Sequence, residues 1–331
     1  MPDNNPKVSF IVCTYSVGGL YDCDHLIRRC LDSIFRLNYP KEKIEVICVD
    51  GGSTPQTLEL LKTYPVKIIH NKKKLSEGIG MGKSQGVSAA DGEFVIIVDQ
   101  DNELIGENWL AEMLAPLIKD EKIFGSACRL YVAAKDNITN RYLAYVGGDP
   151  FAASLSLDGM LGLGTAKLND CNNYFTINMS QKDFFITGGN CFLYRKSALE
   201  KIGGYTKDID TVWKIIQTET NILAVPKTPR THHAQATSLW RFLLRKLSYA
   251  QKHFKNKELR GEFSWVPRNF SGFARMFAFT AKNFLIFPNI PITVVRFLQT
   301  HDAAWLLHPI ASLLVTVGYA YVALTSKVLA K

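Results

Sequence analysis

The sequence predicts an α/β protein with a mostly parallel sheet flanked by helices, and three observations carry that prediction. Strand and helix signals alternate at a regular pace in the first half of the chain. Phe94 to Val98 is a continuous apolar run of strand length, the pattern of a parallel strand buried on both faces. The run stops at Asp99-Gln100-Asp101, and ligands of open α/β sheets collect beyond such strand ends.

Val8 to Thr14 reads as the first strand. Leu26, Ile27, Cys30, Leu31, Ile34 and Phe35 then recur at helical spacing behind a possible N-cap at Asp24. Ile44 to Asp50 is the second strand, and the glycines of Asp50-Gly51-Gly52-Ser53-Thr54 allow positive φ before Ser53 or Thr54 caps the next helix. Pro65 to His70 is a third strand, Met81 to Ala90 a helix, and Phe94 to Asp99 the fourth strand. Alternation of this kind builds βαβ units, so Thr14-Tyr15, Asp50-Gly51 and Asp99-Gln100-Asp101 are expected to line up as ligand loops. Two carboxylates at the spacing of Asp99 and Asp101 suit a hard divalent ion that also holds a diphosphate. The plainer alternative is a solvated acidic turn.

A chain of 331 residues can bury a substantial core as one large or two small domains. Its 47% apolar and 21% charged content describes a globular protein, and a net charge of +9 suits anionic partners such as nucleotide phosphates or acidic lipid head groups. Nucleic acid is not an expected partner, because no zinc spacing or single-strand-binding motif accompanies the charge. The seven cysteines are scattered without a C-x-x-C pair, which predicts a reducing compartment and no structural zinc. The polar start, Met1 to Pro6, leads straight into a strand and predicts no signal peptide and a chain that starts in the cytoplasm.

Gly78-Ile79-Gly80-Met81-Gly82-Lys83-Ser84 looks like a phosphate-binding P-loop, but the spacing fails: Glu77 stands where the first glycine is required. The preferred reading keeps Lys83 as a cation near a nucleotide and the glycines as room for it.

Four blocks then combine. Val8-Ser9-Phe10-Ile11-Val12-Cys13-Thr14-Tyr15, Val49-Asp50-Gly51-Gly52-Ser53-Thr54, Gly82-Lys83-Ser84 with Ala90-Asp91-Gly92-Glu93, and Val98-Asp99-Gln100-Asp101 resemble the ordered blocks of family two glycosyltransferases with the GT-A fold. The resemblance implies a nucleotide-sugar donor, with Thr14 and Tyr15 lining its pocket and Asp50 accepting from the base. It gives Asp99 and Asp101 the D-x-D part, in which Asp99 reaches the ribose or sugar and Asp101 binds Mg²⁺ or Mn²⁺ bridging the diphosphate. Gly51 departs from the second Asp that many relatives carry.

Residues 131 to 182 fit no block and are expected to form acceptor-side loops. The resemblance resumes at Thr187-Gly188-Gly189-Asn190-Cys191-Phe192-Leu193-Tyr194-Arg195, a motif that implies Gly189 under the donor sugar. It continues through Ile202 to Asp210, where relatives place Glu-Asp and the Asp is the general base. Lys207 replaces that Glu and Asp208 remains, so Asp208 is the implied base and Asp210 the alternative. An inverting transfer needs such a carboxylate at the acceptor hydroxyl and a metal to offset charge on the leaving group. Asp208 would equally favour the dipole of a helix over Thr211 to Gln217. Of Thr231-His232-His233, His232 is taken to complete the metal shell or contact the diphosphate, although adjacent histidines are often structural. Arg241 and Arg245 lie one turn apart and would clamp the pyrophosphate or face acidic lipids.

From Phe273 the chain turns apolar and aromatic. Ala303 to Thr325 lacks Asp, Glu, Lys and Arg and is long enough to span a bilayer. Met276 to Leu298 is a second candidate span despite Lys282, Pro288, Pro291 and Arg296. The turn Gln299 to Asp302 carries no Lys or Arg while Lys327 and Lys331 follow the last span, which predicts a two-pass hairpin with a cytoplasmic C-terminus. A buried or interfacial helix pair is the alternative. The sequence therefore predicts a GT-A domain over residues 1–260, and a membrane-associated region over 261–331 that works beside a lipid-linked or other membrane-borne glycan acceptor. A P-loop-like nucleotide hydrolase and a non-catalytic membrane-bound relative are the competing readings, the latter favoured by Lys207.

Overall fold

The computed structural model describes residues 5–19, 22–71, 79–150, 168–180, 187–255 and 270–325. The chain divides into two units, Met1–Tyr131 with Ala166–His233 and Val132–Thr165 with Ala234–Lys331. The division after His233 differs from the boundary expected near residue 260. Its cause is the helix Leu239–Lys255, which buries Phe242 and Leu243 in one core with Trp305, Ala311 and Val315 and so belongs with the tail.

In the first unit the expected alternation is present: β1 (Val8–Thr14), α1 (Asp24–Phe35), β2 (Ile44–Asp50), α2 (Pro55–Lys62), β3 (Lys67–His70), α3 (Ile79–Ser88) and β4 (Phe94–Asp99). Thr54, not Ser53, caps α2: its Oγ1 accepts from the Thr57 amide at 3.3 Å, with Pro55 in the first turn. Next come β5 (Asn102–Ile105), α4 (Trp109–Lys119), β6 (Ile123–Ser126) and β7 (Arg129–Leu130). After the excursion into the second unit follow β8 (Leu168–Asp170), β9 (Tyr174–Asn178), β10 (Phe192–Arg195), α5 (Lys196–Lys201), α6 (Asp208–Thr218), β11 (Ile222–Pro226) and β12 (Arg230–His233).

The main sheet runs β3-β2-β1-β4-β10-β6-β11-β9-β8, and a small sheet runs β5-β12-β7. The half from β3 to β4 is parallel, as expected; β10 then enters antiparallel, and the far half is mixed. β1 and β4 are central and apolar on both faces, burying Phe10, Val12, Ile96 and Val98 toward α1 and α4 in one core. On the other side α3 lies very close to the sheet. A methyl at Gly86 would collide with Ile11 Cγ2 and stand 3.0 Å from Val49 Cγ2, and one at Gly82 would stand 3.3 Å from Cys13 Sγ. Gly82, one of the glycines expected to make room for a nucleotide, and Gly86 one turn on let this helix seat on β1 and β2. Gly78 lies outside the described residues, as do 151–167 of the acceptor-side loops.

The second unit is helical: Ile138–Tyr145, Leu239–Lys255, Phe270–Phe284, Ile290–Thr300 and His308–Thr325. Tyr142, Phe242 and Trp305 centre its core, and Arg141 grips Asp302 through two hydrogen bonds of 3.0 and 3.1 Å. The stretch Met276 to Leu298 is not one span. It breaks at Ile286, which has φ +61°, into helices of 15 and 11 residues, each shorter than the roughly 20 residues a bilayer requires. Among the described residues only Ala303–Val322 is long and apolar enough to cross a membrane. Lys327 and Lys331 lie outside the described residues.

Candidate active site

Sheet register assembles the site. β2, β1 and β4 are parallel neighbours in which Thr14 stands opposite Asp50 and Cys13 opposite Asp99, so the three predicted ligand loops leave the same edge side by side. Asp50 is buried, and its carboxylate accepts from the amides of Gly52 at 2.9 Å and Ser53 at 3.1 Å and from Thr14 Oγ1 at 3.4 Å. Gly52, at φ +101°, permits that turn. Much of the carboxylate's hydrogen-bonding capacity therefore shapes the loop in which it sits.

Gln100, between the two aspartates, was not singled out by sequence reasoning. Its side chain reaches back to β1, accepting from the Tyr15 amide at 2.6 Å and donating to the Tyr15 carbonyl at 2.9 Å. Asn102 closes the same turn: its Oδ1 accepts from the Asp99 amide at 3.0 Å. Together they tie the Thr14-Tyr15 loop to the Asp99–Asp101 turn. The sequence signal was present, since amide side chains are the usual stitches of turns, but their partner across the sheet was not readable.

β12 pairs antiparallel with β5, setting His232 against Glu103 and His233 against Asn102. Successive strand residues face opposite ways. His233 thus joins the aspartates, with Nε2 3.2 Å from Asp101 Oδ1, and ligand atoms of Asp99, Asp101 and His233 all lie within 4.8 Å of one another. His232, the histidine chosen from sequence, is buried on the other side, its Nδ1 2.7 Å from Arg29 Nη2, while Arg29 Nε sits 3.1 Å from Glu103. Two carboxylates and an imidazole nitrogen so grouped fit a divalent ion.

Lys83 is brought in by α3. Its buried ammonium lies 3.1 Å from Asp99 Oδ1 and 3.1 Å from Asp208 Oδ1. Burial works against that charge, but the Asp208 and Asp99 carboxylates outweigh it and raise the pKa further above the ordinary lysine range. Asp208 opens α6 and also accepts from the Tyr205 hydroxyl. Desolvation pushes its carboxyl up; Lys83 and the Tyr205 hydrogen bond pull harder, leaving it below the ordinary range. About half of its side chain, 46%, stays open to solvent, whereas Asp210 is buried. Gly188 and Gly189 press against this residue: a methyl at Gly189 would stand 2.5 Å from Asp208 Oδ2. Burial pushes the neighbouring Cys13 thiol up to about 12, so it stays neutral beside the ion pair. Arg241 stands exposed on Leu239–Lys255 in the second unit.

A family model for glycosyl transferase family 2 matches residues 9–203, more than half of the chain. The chain belongs to glycosyl transferase family 2. The family match covers β1 to β10 and thus the D-x-D turn and the Gly188-Gly189 segment. Among curated relatives, the poly(ribitol-phosphate) beta-glucosyltransferase of Bacillus spizizenii is 34% identical over 105 residues, 30% of this chain and 16% of that protein. The putative glycosyltransferase EpsH of Bacillus subtilis is 30% identical over 102 residues, 29% of this chain and 26% of its own length. The chain thus matches only 16% and 26% of the length of these two relatives. Among solved structures, the mannosyltransferase PcManGT of Pyrobaculum calidifontis, in complex with GDP-Man and Mn²⁺, superimposes with a TM-score of 0.55 at 18% identity, covering 97% of this chain and 88% of that one. Staphylococcus aureus TarS gives 0.52 at 18% identity, covering 96% and 55%. The fold of this family 2 glycosyltransferase is therefore the GT-A fold that its sequence blocks resemble.

Proposed function

We propose that the protein transfers a sugar from a nucleotide-sugar donor to a lipid-linked or other membrane-borne glycan, with inversion and dependence on a divalent ion. The observation that carries this reading is the convergence of Asp99, Asp101 and His233 beyond the parallel strands, with Asp208 held across Lys83 from Asp99. PcManGT, whose fold is similar, was solved with GDP-Man and Mn²⁺, and a TarS structure with UDP, which supports a nucleoside-diphosphate donor.

In this reading Asp99, Asp101 and His233 hold the ion. When bound, it supplies positive charge that offsets the departing diphosphate. Thr14 and Tyr15 line the nucleotide side, in a position braced by Gln100. Asp208 takes the proton of the acceptor hydroxyl; Lys83 keeps that carboxylate ionised and aimed. Asp210 is too buried to meet an acceptor. The test is Asp208→Asn assayed by calorimetry and turnover with a sugar-nucleotide panel. Donor affinity should be kept while transfer falls by about 10²–10⁴-fold, the contribution of a general base. Undiminished turnover would move the base elsewhere, and retention of anomeric configuration in the product would exclude inversion.

A further inference from the structure

The C-terminal helices of the second unit bury a seam of polar side chains beside their apolar core and leave a run of large apolar side chains exposed. Asn283, Asn289, Thr293, Ser312 and Thr316 are all buried. Asn283 Nδ2 donates to Thr316 Oγ1 at 3.1 Å, and Asn289 Nδ2 donates to Asn283 Oδ1 at 3.2 Å, so side-chain amides and a hydroxyl join Phe270–Phe284 to His308–Thr325 and to the turn that opens Ile290–Thr300. Outward stand Phe277 (76% exposed), Phe287 (63%) and Leu298 (60%), with Ile290 and Val294 completing a stripe at four-residue spacing toward Leu298. In water this arrangement forgoes the hydrophobic gain. Against hydrocarbon it is favourable, because polar side chains bond helix to helix while apolar ones meet lipid.

Charge points to the same partner. Leu239–Lys255 contains five Lys or Arg and no Asp or Glu, and it exposes Trp240 beside Arg241 and Leu244 beside Arg245. Apolar and aromatic groups next to cations describe a helix lying at the level of anionic head groups.

That helix also argues against a spanning arrangement. His308–Thr325 packs its inner face on it so closely that a methyl at Gly318 would stand 2.5 Å from Leu247 Cδ2 and 3.4 Å from Leu243 Cδ1. Carrying His308–Thr325 across a bilayer would draw the cations of Leu239–Lys255 into hydrocarbon. Phe270–Phe284 and Ile290–Thr300 are too short to cross.

We propose that the second unit is a monotopic docking module. It enters one leaflet of an anionic bilayer through the outer faces of its C-terminal helices and leaves Leu239–Lys255 at the head groups. This deepens the reading of a membrane-borne acceptor, but its test reads lipid binding and not transfer. The full chain is mixed with preformed phosphatidylcholine vesicles, with or without phosphatidylglycerol, and floated. Flotation with the phosphatidylglycerol vesicles, weakened by salt, is expected. Val294→Asp combined with Leu298→Asp should lower it by about tenfold or more, with unchanged circular dichroism and donor-dependent nucleotide release, and Arg245→Glu should lower it selectively for anionic vesicles with unchanged circular dichroism. Absence of flotation, or variants that float like the wild type, overturns the proposal. A dimer in light scattering that the double variant dissolves, without lipid binding, assigns the face to a second copy instead. In intact cells an impermeant thiol reagent should label neither Gln299→Cys nor Ala330→Cys, and both after permeabilisation. Labelling of the first means a hairpin, of the second alone a single pass, and either overturns the monotopic arrangement. Lost flotation with transfer intact overturns docking alone, whereas intact flotation with transfer only to soluble glycans overturns the acceptor reading alone.

Discussion

His232 and His233 are adjacent in the chain and face opposite ways, which makes them a controlled pair. His233→Ala should weaken Mn²⁺-dependent nucleotide binding in calorimetry, and Asp101→Ala should abolish the dependence. His232→Ala should leave the metal response in place and lower the melting temperature, since it removes a buried side chain that partners Arg29. Equal metal responses in the two histidine variants would sink the assignment. Lys83 gives a pH experiment. Because Asp208 is held below the ordinary carboxylate range, it stays ionised as pH falls, and the acid limb of the turnover profile should lie below that range. The same shift means the pair contributes stability above the unfolded carboxyl pKa and loses it as pH drops through the depressed one. Lys83→Met removes the largest influence that opposes desolvation, leaving Tyr205 and a backbone hydrogen bond, so the acid limb should move up. The fold should weaken by about 1–3 kcal/mol, less than for a fully buried pair because Asp99 and Asp208 keep contact with solvent. An unmoved limb would show that Asp208 is not the titrating base.

At the scale of the element, α3 on β1 and β2 is the clearest case of a sequence feature with a different physical purpose than its first appearance. A glycine-rich entry before Lys83 invites a phosphate loop, yet Gly82 and Gly86 are one turn apart on the face that meets Cys13, Ile11 and Val49. Gly86→Ala should therefore destabilise the first unit by about 1–3 kcal/mol, as overpacking does, even though alanine favours helix. A urea midpoint equal to or above that of the wild type would show that the helix can shift outward without loss. The tail teaches the converse: composition shows Met276 to Leu298 as apolar, and only the backbone turn at Ile286 decides that it is two short helices.

For the whole molecule, the net charge of +9 predicts that encounter with anionic ligands is screened by salt. The donor KM should rise as ionic strength increases past the regime where the Debye length is about 10 Å, and a KM independent of salt would confine the charge to a role away from the donor. What the sequence alone determined was local and periodic: the βαβ alternation, the strand ends at Thr14, Asp50 and Asp99, the D-x-D pair, and the apolar tail. Each follows from patterns that repeat within a few residues, where spacing dictates which side chains share a face. Only tertiary structure decided that β12 lies beside β5 in the register that presents His233, that Gln100 braces Tyr15 across β1, that Lys83 bridges Asp99 to Asp208, and that Leu239–Lys255 joins the tail. These contacts join residues far apart in the chain. A one-residue change of register reverses which side chain faces the site, and local periodicity carries no information about that choice.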